Sequence, residues 1–136
     1  MKKTFLVSIF IMLISLQSCK DYSKDVANTG VIELISPQQV YDAVYGEDSV
    51  QLVDVRTPEE YRVSHLKGSQ NICVTSDDFE EKVKTLDKNK PVYVYCKVGG
   101  RSASAAKKLH KMGFTKIYDM DGGILLWEEK KLETEK

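Results

Sequence analysis

The chain has 136 residues, enough for one domain with a modest core. Its 42% hydrophobic and 29% charged content is ordinary for a globular protein, and 20 basic residues balance 20 acidic ones to a formal net charge of zero. That balance, with the lysines scattered rather than clustered, excludes the basic surface a nucleic acid or other polyanion needs.

Lys2 and Lys3 head an apolar run from Thr4 to Leu16, broken only by Thr4, Ser8 and Ser15. The run is short for a membrane span and fits the apolar region of a secretory signal. It ends in "LQSC", Leu16 to Cys19, which resembles a bacterial lipobox: a leucine three positions before a cysteine and a small residue, Ser18, just before it. The resemblance implies that residues 1–18 are a lipoprotein signal peptide and that the Cys19 thiol is acylated. An ordinary cleaved signal and a retained anchor helix are the alternatives. The expected location is the bacterial cell envelope, lipid-anchored to a membrane on the periplasmic side or the cell surface. Residues 19–30 then form the lipidated N-terminus and a flexible tether, because "KDYSKDVANTG" is polar and has no apolar periodicity.

From residue 31 the pattern alternates. "VIELI" (31–35) predicts a strand. In "SPQQVYDAVY", Ser36 can cap a helix, Pro37 suits its first turn and Gln39 occupies the capping-box position. "VQLVDV" (50–55) predicts a strand covered on both faces. "TPEEY" repeats the start signal, with Thr57 as cap, Pro58 in the first turn and Glu60 three residues after the cap. A short strand is expected in "SQNICV" (69–74), then an acidic-to-basic helix in "SDDFEEKVKTL". "VYVYC" (92–96) is the most strand-like run, "RSASAAKKLHKM" predicts a helix stopped by Gly113, "TKIYDM" a fifth strand and "ILLWEEKK" a last short helix. Strands separated by helices imply parallel pairing and a covered sheet, so one α/β domain is expected over 31–132, followed by a polar tail at 133–136.

In such sheets ligands bind beyond the carboxyl ends of the strands, which is where Cys96 falls. "CKVGGR" then places Gly99 and Gly100 before a helix, so that unobstructed backbone N–H groups and the positive helix end form an anion cradle. A thiol facing it is stabilised as thiolate, the nucleophilic form. Arg101 adds a fixed charge, and Ala103, Ala105 and Ala106 allow the helix close to the sheet. A buried structural cysteine beside a glycine turn is the competing reading.

"CKVGGRS" resembles the active loop of rhodanese-like domains, commonly Cys-x-x-Gly-x-Arg-Ser, with Cys96, Gly99, Arg101 and Ser102 on those positions. "LVDVRTPEEYRVSHLKGSQNI" (52–72) and "MDGGILLW" (120–127) resemble two further motifs of the family in the same order. The resemblance implies a rhodanese-like α/β fold, a five-stranded parallel sheet with helices on both faces, and sulfurtransferase activity without cofactor. It assigns Cys96 as the catalytic nucleophile. Lys97, Val98, Gly99, Gly100, Arg101 and Ser102 line the substrate loop, Arg56 helps bind an anionic substrate and Asp54 supports it. Its partners are small sulfur-containing anions or persulfide-carrying thiols, with the protein acceptor unknown.

Ser64, Ser69 and Cys73 depart from the usual Gly, Ala and Pro. Cys73 reads as a small apolar filler or as a resolving thiol for Cys96. The resemblance makes His65 a structural histidine. His110 is expected at the surface of its helix, and Trp127 in the core. With two distant histidines and no paired cysteines, no metal site is expected. A binding or redox-sensing module is the main alternative to an enzyme. A phosphatase is the least favoured, since cysteine-dependent phosphatases carry one residue more between cysteine and arginine than the four here, Lys97 to Gly100.

Overall fold

The computed structural model describes residues 30–46 and 50–136; the expected signal peptide and the Cys19 lipidation site lie outside them. The elements are β1 (Val31–Ile35), α1 (Pro37–Gly46), β2 (Gln51–Asp54), α2 (Pro58–Val63), β3 (His65–Leu66) and β4 (Gln70–Asn71). They continue with α3 (Phe79–Lys82), a 3-10 turn (Val83–Thr85), β5 (Val92–Tyr95), α4 (Gly100–Lys111), β6 (Lys116–Met120), α5 (Gly123–Glu129) and β7 (Thr134–Glu135). Five strands form one parallel sheet in the order β1-β6-β5-β2-β4.

Strand periodicity divides the core. On β5, Val92 and Val94, followed by Cys96, point to the face covered by Phe79 and Val83 and by Ala105, Ala106 and Leu109 of α4. Tyr93 and Tyr95 point to the other face, with Val40 of α1 and Ile124 and Trp127 of α5. Helices therefore cover both faces, and β5 is buried along its whole length. Both anticipated capping boxes form. Ser36 and Gln39 exchange backbone-to-side-chain bonds of 3.0 and 3.3 Å, and Thr57 and Glu60 exchange bonds of 3.1 and 3.3 Å.

Three expectations need correction. The residues of 133–136 are not simply a polar tail, because Thr134 and Glu135 pair antiparallel with Leu66 and His65 as a second, two-stranded sheet. Trp127 Nε1 also donates to Glu133 O at 3.0 Å, so the buried indole needs this segment as its acceptor. Ala103 is exposed, and the close helix–sheet contact is made by Ala105 and Ala106 alone. His110 is half-buried, with Nε2 2.9 Å from Gly30 O, so it ties the end of α4 to the start of β1.

Candidate active site

The loop from Cys96 to Ser102 crosses the carboxyl end of β5 and enters α4. Cys96 is 1% exposed and its Sγ accepts from Gly99 N at 3.0 Å. Burial raises the thiol pKa, but the Ser102 hydroxyl and the backbone N–H groups of Ser102, Gly99 and Val98 outweigh it, so the net shift is downward from 9.0. Gly99 makes the inward turn with a φ of 120°, and no other atom lies within 4 Å of where a Cβ would stand. Its role is backbone conformation, not space.

The second support comes from the "DGG" turn after β6. Ile124 N donates to Cys96 O at 2.9 Å and Leu125 N to Lys97 O at 3.2 Å. The start of α5 thus holds both loop carbonyls, leaving the following N–H groups to face the sulfur. A Cβ on Gly123 would fall 2.4 Å from Lys97 O and 2.6 Å from Cys96 O, at a φ of 60°. Only glycine permits this approach.

Arg101 does not stand free. Its Nη1 and Nη2 donate to Glu60 Oε2 and Oε1 at 2.6 and 2.8 Å, a paired geometry that joins the loop to the capping box of α2. The guanidinium, followed by the Thr57 backbone and hydroxyl, outweighs burial and holds the Glu60 carboxyl down at about 2. Glu60 was legible as a capping residue, but its role toward Arg101 has no local sequence signal. Arg101, expected as a fixed charge at the substrate loop, is thus shared with a carboxylate.

Arg56, 4% exposed, is likewise committed. It contacts Asp54 at 2.5 Å through Nη2 and donates to Ser64 O at 2.7 Å, while its backbone N donates to Asp54 Oδ1 at 2.9 Å. Asp54 has no exposure and is the inner half of this brace. Asn71 Nδ2 closes the same corner, donating to Asp54 O at 3.1 Å and Arg56 O at 2.9 Å. The edge of Arg56 still lines a shallow cleft of about 200 Å³ with Lys97, Ile124, Leu125 and Glu128. Lys97 and Gly100 are exposed, and Val98 is 63% exposed at the rim.

Cys73 is half-buried and its Sγ lies 3.2 Å from Thr75 Oγ1, outside both apolar clusters, which corrects the reading of an apolar filler. Both Cys73 and Cys96 are free thiols. His65 stacks on Tyr61 at 3.8 Å and its Nδ1 lies 2.9 Å from Tyr61 O. Among the described residues, no group of three His, Cys, Asp or Glu side chains could hold a metal ion.

A loop of inward N–H groups around one thiol, at the carboxyl edge of a parallel sheet, defines a cysteine-centred anion site. The model of the rhodanese-like domain matches residues 36–130, and the chain belongs to that family. It is 38% identical over 85 residues to the Bacillus subtilis protein YqhL, covering 62% of this chain and 66% of that one. It is 34% identical over 93 residues to the thiosulfate sulfurtransferase GlpE of Pseudomonas aeruginosa, covering 68% and 81%. Among solved structures, the polysulfide-sulfur transferase of Wolinella succinogenes matches with a TM-score of 0.66 and 30% identity, covering 76% of this chain and 78% of that one.

Proposed function

We propose that the protein is a sulfurtransferase that carries sulfane sulfur on Cys96. The observation that carries this reading is the Cys96 sulfur itself, buried and yet lowered in pKa by the Ser102 hydroxyl and the loop N–H groups. In the first half-reaction the thiolate attacks the outer sulfur of thiosulfate. The S–S bond to the sulfonate breaks, sulfite leaves with the bonding pair, and Cys96 becomes a persulfide anion. The loop N–H groups stabilise the charge on the terminal sulfur. In the second half-reaction cyanide or an acceptor thiolate takes that sulfur and returns the thiolate. Arg56 and Arg101, each bound to a carboxylate, keep the loop and its rim in place, while Lys97 is the exposed cation beside the cleft.

The names of the Pseudomonas and Wolinella proteins support thiosulfate and polysulfide as donors to test. Thiosulfate treatment followed by intact mass should add one sulfur atom to the wild type and none to Cys96→Ser. An unmodified wild type that turns over neither thiosulfate nor polysulfide would leave the binding-module reading.

The "LQSC" stretch supports an envelope location with Cys19 acylated. Detergent partitioning should place the wild type with membranes and Cys19→Ser in the aqueous phase; a wild type wholly in the aqueous phase would end this part of the proposal.

A further inference from the structure

The loop fixes where a sulfur donor must sit. Gly99 N–H already binds Cys96 Sγ at 3.0 Å, so the cradle serves the protein's own sulfur. The half of a donor that departs therefore lies outside the loop, against the cleft that adjoins it. Lys97, next in the chain to Cys96, and Ile124, whose N–H holds Cys96 O, both line that cleft. Its apolar wall is Val63, Ile124 and Leu125, of which Val63 is 70% and Leu125 46% exposed. The charges that line it are two of each sign, Arg56 and Lys97 against Glu60 and Glu128. Arg56 is bound to Asp54 and Glu60 to Arg101, so these two pairs are self-contained. Lys97 and Glu128 are left, opposite in sign, with no ion-pair partner among the described residues.

A cleft with no net charge and an aliphatic wall does not suit a dianion. With thiosulfate as donor the departing half is sulfite. Its charge would lose water beside Val63, Leu125 and the Glu128 carboxylate, with Lys97 alone to compensate. An alkyl hydropersulfide, R–S–SH, brings an apolar chain to that wall and departs as a neutral thiol. We propose that the preferred sulfur donor is an uncharged alkyl hydropersulfide, seated on Val63, Ile124 and Leu125, and that Glu128 disfavours anionic donors. The Cys96 thiolate attacks the outer sulfur and the S–S bond breaks. The departing sulfur keeps the bonding pair and takes the proton of the outer sulfur, so the products are the Cys96 persulfide anion and R–SH. This rests on Cys96 as the sulfur carrier and narrows only the donor.

Propyl hydropersulfide and sulfoethyl hydropersulfide share one reacting group and differ in the charge of the tail. Each, released in situ from a precursor, is mixed with the full chain, as is thiosulfate, and sulfur added to Cys96 is followed by the mass of its own peptide. Dividing each hydropersulfide rate by that donor's rate with free cysteine removes intrinsic reactivity. The wild type should favour the propyl over the sulfoethyl donor roughly tenfold at low salt. Glu128→Gln keeps an acceptor for Ser64 Oγ, which Glu128 receives at 3.1 Å, and should narrow that preference about threefold. Glu128→Lys should narrow it further and make the thiosulfate rate fall with added salt, because attraction to a positive cleft is screened. Leu125→Asn should narrow it from the other side, by slowing the propyl donor. Equal wild-type rates, a preference for the anionic donor, or a preference that Glu128→Lys does not move would overturn the proposal and leave sulfur transfer by Cys96 standing. A Cys96 that takes sulfur from none of the three donors would overturn both.

Discussion

Arg101 and Glu60 face each other through two parallel hydrogen bonds, and so the first turn of α4 is fastened to the first turn of α2. Glu60 also receives the Thr57 N–H, which makes one carboxylate the junction between the Cys96 loop and the corner after β2. Glu60→Gln should cost about 1–2 kcal/mol at neutral pH, from a weakened cap and a lost charged pair that is partly screened by solvent. The folded-state pKa of Glu60 is depressed from 4.5 to about 2, so its stabilisation is present above the unfolded value and is lost as pH falls toward about 2. Urea melts at neutral and acid pH should show the gap between wild type and Glu60→Gln closing on the acid side. A gap that stays constant would place the effect elsewhere.

Cys96→Ala should abolish sulfur transfer with little loss of fold, since the change removes only one sulfur atom from the edge of an apolar cluster. Cys73→Ala should keep most of the activity, because its sulfur contacts Thr75 rather than the loop. Steady-state assays with circular dichroism on both variants check this. Equal losses with both folds intact would indicate a dithiol cycle.

Gly123→Ala and Gly100→Ala form a matched pair. The first forces a Cβ against the Lys97 and Cys96 carbonyls at a left-handed φ, a strain of about 1–3 kcal/mol before any clash is relieved. It should lower the melting temperature and reduce transfer at least tenfold. The second meets nothing within 4 Å and needs no unusual backbone angle, so activity and melting temperature should stay near wild type.

Loop length separates sulfur from phosphorus chemistry. An in-line attack on phosphorus needs a cradle wide enough for three equatorial oxygens, whereas here Gly99 N–H already reaches the cysteine sulfur itself. The wild type should hydrolyse no aryl phosphate, and one residue inserted between Gly99 and Gly100 should reduce sulfur transfer. Phosphatase turnover by the wild type, lost in Cys96→Ser, would reverse the assignment.

Removing residues 133–136 should destabilise the domain by about 1–3 kcal/mol, since it orphans the Trp127 indole N–H and strips β3 of its partner. Tryptophan fluorescence during thermal unfolding reads the loss. An unchanged melt would show that water replaces the Glu133 carbonyl.

Local signals were the legible ones. Pro37 and Pro58 after capping residues, the alternating apolar run ending at Cys96, and the paired glycines on both sides of β6 marked the helix starts, the central strand and the loop. Less could be read where a residue's partner is remote in the chain. Glu60 looks like half of a capping box until Arg101, 41 positions on, is brought against it. Arg56 looks like a substrate cation until Asp54 and the Ser64 carbonyl occupy it. The β3–β7 pair escaped notice because "ETEK" has no apolar alternation; its pairing follows from the Trp127 indole and the neighbouring strand, not from its own composition.

The direction of β1 has a geometric consequence. All five strands of the main sheet run the same way, and β1 enters at one margin of it with Val31 beside Lys116, at the opposite pole from the Cys96 loop. Gly30, the first described residue, therefore stands at the end of the domain away from Cys96. An attachment made through residues before Gly30, such as the one proposed at Cys19, would join the domain at the pole opposite the reactive thiol and would not cover the rim of the site.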